Sequence, residues 1–322
     1  MRALVATNYG PPEELSIGQL PIPRPGPAQV LVRVAAATVN ATDIRVITDG
    51  LYGTVALTFP YTLGNDFAGT IVEIGSGVTG YRIGDEVFGQ ALPRQLRAIV
   101  TAPHPSLSTG ALAEYAVFEA DTPLLAHRPP SVTTVDAAAL AIGGMTAYAA
   151  ITVAAISAGE TALVIGATGG VGTMAIPLLA KAGVRVVATA GTDRGHRVLR
   201  ELGATQVIGH DVELYPRNVD VVFNFHLSAD DMRPAAAALR PGGRLVSIIY
   251  PLPTSEQLAR DDVEFHFIDW NADYGGMSAV ADAAERGELT ATVDRVYPLD
   301  QAVQAVTDYA RRGKVGHLVV VM

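Results

Sequence analysis

Over the first 125 residues the apolar positions fall in short, β-branched runs, and turn residues cut between them at close intervals. The run Val-Leu-Val-Arg-Val-Ala-Ala-Ala-Thr-Val at 30–39 predicts a strand, and 69–74 and 85–88 predict two more. Pro23-Arg-Pro-Gly-Pro27 and Gly75-Ser-Gly77 mark turns. This front is expected to be a mostly β, barrel-like unit. After Pro129-Pro130 the pattern changes to Ala-rich helical runs alternating with short apolar strands. Strands are predicted at 161–165, 185–189, 219–223 and 243–249, and helices at 171–182 and 194–202. Such alternation implies βαβ units around a parallel, doubly wound sheet of the nucleotide-binding kind. A last strand, 317–322, is expected to return to the front unit. The expected division is therefore 1–125 with 266–322, and 126–265.

A chain of 322 residues suits two domains, and 49% hydrophobic with 17% charged residues is a globular composition. The net charge of −9 opposes attraction to nucleic acid and to anionic membrane surfaces. Cysteine is absent, which removes disulfides, thiolate zinc sites, iron–sulfur ligation and thiol nucleophiles. Residues 137–156 carry no charge over a length that could span a bilayer. Alanine dominates that run and Gly143-Gly144 interrupts it, so the expectation is buried helix between the domains. The opening Met1-Arg2-Ala3-Leu4-Val5-Ala6-Thr7 is too short and too quickly polar for a secretory segment, which predicts a cytoplasmic protein.

Between the first strand of the second unit and its helix stands Gly166-Ala-Thr-Gly-Gly-Val-Gly172. Ala167, Gly169 and Gly172 occupy the three small-residue positions of the dinucleotide fingerprint, with Thr168, Gly170 and Val171 between them. A helix start at this place points its N–H groups at a pyrophosphate. The alternative is a tight strand-to-helix turn without a ligand. In an NAD site an acid ends the second strand and binds the ribose hydroxyls. Here that strand ends Thr189-Ala190-Gly191, and Arg194 and Arg197 follow as candidates for the 2′-phosphate of NADPH. Asp193 between them keeps NADH open, and a solvated helix face is the other reading of the two arginines.

The chain resembles the zinc-independent quinone oxidoreductase branch of the medium-chain dehydrogenase/reductases, the zeta-crystallin-like proteins. The resemblance rests on Val39-Asn-Ala-Thr-Asp-Ile44, Gly64-Asn-Asp-Phe-Ala-Gly69, Gly84-Asp-Glu-Val-Phe-Gly89, Gly110-Ala-Leu-Ala-Glu-Tyr115, Gly144-Met-Thr-Ala-Tyr148, Gly166 to Gly172 and Pro241-Gly-Gly-Arg-Leu-Val-Ser247. It implies a GroES-like barrel domain joined to a doubly wound Rossmann domain, and a homodimer. In zinc-dependent relatives the first motif begins with a Cys ligand and the second carries a His ligand. Asn40 and Asn65 stand there in this chain, and neutral amides are poor zinc donors.

Without a Lewis acid, reduction of an isolated carbonyl loses charge stabilisation, whereas a conjugated acceptor spreads the charge onto an oxygen that hydrogen-bond donors can serve. The resemblance implies the same activity: NADPH-dependent reduction of a quinone, enone, enal or enoyl thioester. A nucleotide-binding interaction protein and a non-redox cyclase or isomerase are the alternatives.

Tyr52, two residues after a Gly as in related enoyl thioester reductases, is the first candidate for proton donor, the alternative being a packed ring with an exposed hydroxyl. Asn40 is expected beside the nicotinamide as an amide donor, Asp43 as a backbone anchor and Thr146 near the carboxamide. Thr192, His210, Phe225 and Ile249 complete the expected cofactor contacts. The chain departs from the family at Gly195, where a Lys is frequent, at His210, where a Tyr is frequent, and at Asn224-Phe-His-Leu227, which leaves His226 near the cofactor edge. The long segment 90–109, carrying His104, is a candidate lid. Trp270 and Tyr274 with Phe265 and Phe267 are candidates for an apolar substrate wall or for core.

Overall fold

The computed structural model describes residues 1–53, 56–90, 106–107, 110–268, 276–311 and 313–322, and for 50–53 and 106–107 it describes the backbone alone. In chain order the front holds β1 (Arg2–Ala6), β2 (Ser16–Gln19), β3 (Gln29–Val39), α1 (Ala41–Gly53), β4 (Ala56–Leu57), β5 (Tyr61–Thr62), β6 (Asp66–Ile74), β7 (Glu86–Gln90), β8 (Ser106–Leu107), β9 (Tyr115–Glu119) and β10 (Leu125–His127). Then follow α2 (Thr134–Ala154), β11 (Thr161–Ile165), α3 (Gly170–Lys181), β12 (Arg185–Thr189), α4 (Asp193–Glu201), β13 (Gln206–Ile208), β14 (Val219–Asn224), α5 (Arg233–Ala238), β15 (Leu239–Ser247), α6 (Ser255–Leu258) and β16 (Glu264–Phe267). The chain ends with α7 (Gly276–Glu285), β17 (Val293–Pro298), α8 (Ala302–Tyr309) and β18 (His317–Val321).

In β3 the residues Val32, Val34 and Ala36 are buried while Arg33 and Ala35 between them are exposed, the alternation of an antiparallel strand with one wet face. It is the spine of a seven-stranded sheet ordered β10-β7-β6-β3-β18-β17, and its first half also pairs with β9. Register shifts between β3 and β6 curve the sheet. Phe67 and Phe118 stack within its core at 3.6 Å between ring centroids. The predicted return of the C-terminus is present: Leu318 lies opposite Val39, and the Met322 N–H donates to the Ala35 carbonyl at 3.1 Å.

The strands β11 and β14 are mainly apolar and buried on both faces, as parallel strands covered by helices must be, with Asp220 of β14 half-buried. The six-stranded sheet is parallel throughout and ordered β13-β12-β11-β14-β15-β16, the doubly wound order, which reverses direction between β11 and β14. A ligand crevice is expected at that reversal, at the carboxyl ends of the two strands.

Between the two sheets lies α2. Its alanines favour helix and let neighbours approach on every side. It touches β3, β6, β7 and β18 of one sheet, β15 of the other, and α3 and α7. Thr133 caps it by accepting the Asp136 N–H at 3.1 Å. Among the described residues it is the one helix long and apolar enough to cross a membrane, and most of its apolar window is buried inside the protein. Core packing accounts for its composition, as expected from the sequence.

Candidate functional site

At the reversal point β11 ends on Ile165, whose carbonyl accepts the Phe225 N–H at 3.0 Å. Gly166 then turns with φ +76°, and a Cβ on it would stand 2.9 Å from that of His226. Its N–H donates to Thr189 Oγ1, 3.2 Å away at the end of β12. A Cβ at Gly172 would lie 2.6 Å from both Cα and the carbonyl oxygen of Ala167, so only glycine lets α3 close against the turn. Gly169 caps α3 with no side chain to receive its first N–H groups. These donors, with the helix dipole behind them, fit a pyrophosphate.

Further expected contacts gather at the end of β12. Thr192 caps α4 by accepting the Gly195 N–H at 3.1 Å, and a Cβ at Gly195 would meet the Thr168 methyl at 3.1 Å. The His210 ring stands 2.9 Å from where a Cβ on Gly191 would be. Arg194 and Arg197 are both exposed on α4. Arg194 is already paired with Asp294, whose side chain is 3% exposed and which Arg295 also approaches at 3.5 Å. Asn224, buried at the end of β14, shapes the next turn. Its Oδ1 accepts the N–H groups of His226 at 3.2 Å and Leu227 at 2.7 Å, and its Nδ2 donates to the Leu227 carbonyl and Ser247 Oγ. Ser247 Oγ in turn accepts the Ile249 N–H at 3.1 Å, so His226, Leu227 and Ile249 share one network.

The front contributes a buried polar cluster. Asp43, in the first turn of α1, accepts the Asn40 N–H at 2.7 Å and the Gly64 N–H at 3.0 Å, which is the anchoring role expected of it. Asp66 accepts from Thr38 Oγ1 at 2.5 Å, from Asn40 Nδ2 at 2.9 Å and from the Ile142 N–H of α2 at 3.0 Å. Burial pushes both carboxyls up to about 7, against the pull of these hydrogen bonds. Thr146 follows Ile142 by about one helical turn and is half-buried. The amide nitrogen of Asn40, expected to donate outward, points inward.

A residue that the sequence reading missed joins this cluster to the glycine-rich turn. His317 opens β18, is 3% exposed, and leaves Nε2 without a hydrogen-bond partner among the described residues. A Cβ at Gly143 would stand 3.0 Å from Nε2, and one at Gly170 would overlap the ring. Just before it, the Gly316 N–H donates to the Thr168 carbonyl at 2.8 Å. Contacts thus run from Asn40 through Asp66, Ile142, Gly143 and His317 to Gly170. Burial pulls the His317 imidazole down to about 4 and keeps it neutral. Asp66 had a signal, since Gly64-Asn-Asp66 is one of the motifs, but His317 and Asp294 had none.

The side chain of Tyr52 lies outside the described residues, as do His104, Trp270, Tyr274 and nearly all of the candidate lid. Phe265 packs into the core beside β15.

Residues 26–129 match the alcohol dehydrogenase GroES-like domain, and residues 202–320 match the zinc-binding dehydrogenase domain. Human quinone oxidoreductase is 29% identical over 95% of this chain and 92% of its own. A quinone oxidoreductase from Coxiella burnetii superposes with a TM-score of 0.85 at 26% identity, covering 100% of this chain and 99% of its own. A mycobacterial protein complexed with NADPH gives 0.85 at 25% identity, covering 100% of each chain. Fold and turn define a dinucleotide-type α/β oxidoreductase scaffold with a GroES-like front. The chain belongs to the medium-chain dehydrogenase/reductase family.

The match to a zinc-binding dehydrogenase domain makes zinc the metal to weigh against these donors. Asn40 turns its amide nitrogen onto Thr38 and Asp66, and Asn65 offers a neutral carbonyl oxygen. Among the described residues no three His, Cys, Asp or Glu side chains converge. These groups do not fit a zinc ion.

Proposed function

We propose that the chain is a zinc-free, NADPH-dependent reductase of conjugated carbonyl compounds, working in the cleft between the β-rich unit (1–125 and 266–322) and the doubly wound unit (126–265). The observation that carries the reading is the side-chain-free helix start at Gly169, aligned through His317 and Ile142 with a front wall of amides and buried carboxylates. When bound, the dinucleotide supplies the hydride.

The chain's own residues bind and orient. The N–H groups at the start of α3 hold the pyrophosphate, and Thr192, His210, Phe225 and Ile249 line the path on either side. Arg197, with the edge of Arg194 that Asp294 leaves open, takes the 2′-phosphate. Thr146 and Asn40 face the nicotinamide half, and Tyr52 delivers the proton, a phenol hydroxyl being able to donate. A conjugated acceptor suits a wall without a Lewis acid, because its own double bonds carry the developing charge to an oxygen. At one side of the parallel sheet, β16 has one edge without a strand partner among the described residues, and pairing with a second copy in a homodimer would cover it.

The test is NADPH consumption, followed at the nicotinamide absorbance band, with a quinone, an enone and an enoyl thioester offered in turn. Consumption with at least one is expected. Tight NADPH binding with none consumed favours an interaction protein, and product without NADPH loss favours a cyclase or isomerase. Tyr52→Phe should lower turnover roughly 10²-fold; unchanged turnover removes Tyr52 from the chemistry.

A further inference from the structure

The Asn40 side chain has two amide protons, and both are committed inward. Nδ2 lies 3.1 Å from Thr38 Oγ1 and 2.9 Å from Asp66 Oδ2. The Thr38 hydroxyl donates to that same Asp66 oxygen at 2.5 Å, which leaves the Thr38 oxygen to accept from Asn40. A third donor, the Ile142 N–H, reaches the other Asp66 oxygen at 3.0 Å. Three donors therefore converge on fully buried Asp66, the arrangement of a carboxylate. With Asp66 ionised, turning the amide over would set Asn40 Oδ1 against the Asp66 oxygen, acceptor against acceptor, so the carboxylate form of the network fixes which way the amide faces. What remains of the half-buried Asn40 for the cleft is Oδ1, a pure acceptor.

The position of this acceptor along the cleft follows from the fold. The adenosine half of a dinucleotide lies toward the end of β12, and the pyrophosphate sits on the start of α3. Asn40 stands on the other side of that start, reached through Ile142, Gly143 and His317. The nicotinamide half, with its ribose hydroxyls, extends toward it.

We propose that Asp66 is a positioning residue that holds Asn40 with its carbonyl outward, so that this point of the wall accepts a ribose hydroxyl of the nicotinamide half and repels an anionic oxygen. The proposal rests on the dinucleotide reading of the cleft. It also separates two duties: Asn40 grips the cofactor, and charge developing on the acceptor's oxygen must be met by other donors.

The experiment compares two ligands by fluorescence titration, NADPH and its analogue carrying fluorine, which accepts but cannot donate, in place of the 2′-hydroxyl of the nicotinamide ribose. Wild-type protein should bind the analogue about 10-fold more weakly, the worth of one neutral hydrogen bond. In Asp66→Asn, nearly isosteric, the new amide can donate to Asn40 Oδ1 and release its nitrogen toward the cleft. That variant should bind the two ligands with nearly equal affinity, and Asn40→Ala should do the same. Loosened structure alone would weaken both ligands in parallel and keep their ratio.

Should Asp66→Asn not fold, Thr38→Val removes the hydroxyl that accepts the second Asn40 proton and is expected to shrink the ratio at least threefold. Equal binding of the two ligands by wild type overturns the acceptor assignment while leaving the dinucleotide reading intact. A full ratio retained in Asp66→Asn, or in Thr38→Val where that variant is used, overturns the positioning role. Failure of wild type to bind NADPH at all brings down the dinucleotide reading and the proposal with it.

Discussion

A methyl group at position 172 would stand 2.6 Å from backbone atoms of Ala167 that have nowhere to move, because they form the turn itself. Gly172→Ala should cost about 1–3 kcal/mol, the price of overpacking, read as a lower urea midpoint, and should weaken NADPH binding by displacing the first turn of α3. An unchanged midpoint would mean that the helix start tolerates movement. The glycines were legible in the sequence because their spacing is a local requirement of the turn. His317 was not, since a lone histidine ahead of Leu-Val-Val-Val gains its meaning only when β18 reaches Gly143 and Gly170.

Its burial has a pH consequence of definite sign. Folded His317 titrates at about 4 and an unfolded one at 6.5. The unfolded chain therefore takes up the proton first, so this contribution is complete above pH 6.5 and is lost as pH falls toward 4, by ~3 kcal/mol in all. Asp43 and Asp66, with raised values, work in the opposite direction, favouring the fold at lower pH. His317→Gln isolates the imidazole. The stability gap between variant and wild type should narrow between pH 6.5 and 4.5 in paired thermal melts, and a constant gap would show that the ring is not buried as neutral imidazole.

Among elements, legibility followed burial. The strands β11, β12 and β14 are runs of apolar residues covered on both faces, and their predicted spans differ from the observed ones by at most one residue. By contrast β17 reads Val-Asp-Arg-Val-Tyr-Pro, with Val296 exposed at 50% and Asp294 and Arg295 engaged in ion pairs, so no hydrophobic period marks it. Likewise β13 and β16 are too short to carry a pattern, and their pairing depends on neighbours distant in sequence. The helix α2 poses the reverse problem, being apolar all round; its alanines and Gly143-Gly144 point to core, and its packing agrees. Its start is set locally: Thr133 accepts the Asp136 N–H, and the Thr133 hydroxyl bonds the Asp136 carboxylate at 2.6 Å. Thr133→Ala should lower stability by about 1 kcal/mol in chemical denaturation with dinucleotide affinity unchanged. A loss of affinity as well would mean that the first turn of α2 transmits to Ile142 and Asp66.

At the scale of the whole molecule, the proposed cofactor preference turns on the place where α4 meets β17. Arg194 at the start of α4 pairs with Asp294 at the start of β17, a contact across 100 residues that no local motif announces. Removing Arg194 would strip a buried carboxylate of its nearer cation and leave it Arg295 at 3.5 Å, so Arg194→Ala is expected to lose both stability and NADPH affinity. Arg197 has no ion pair among the described residues, so Arg197→Ala is the cleaner probe. Ligand at about 100 times its Kd stabilises a native state by about 2.7 kcal/mol, which for a chain of this size is a melting shift of roughly 5 °C. Wild type should show that shift with NADPH at a concentration where NADH gives less than half of it. In Arg197→Ala the NADPH shift should fall to the NADH level while the NADH shift and the unliganded melting temperature stay put. If NADPH and NADH shifts fall together, α4 holds the adenosine ribose and not a 2′-phosphate; if neither moves, the exposed Arg197 is solvated helix surface and the phosphate partner must be sought on the free edge of Arg194.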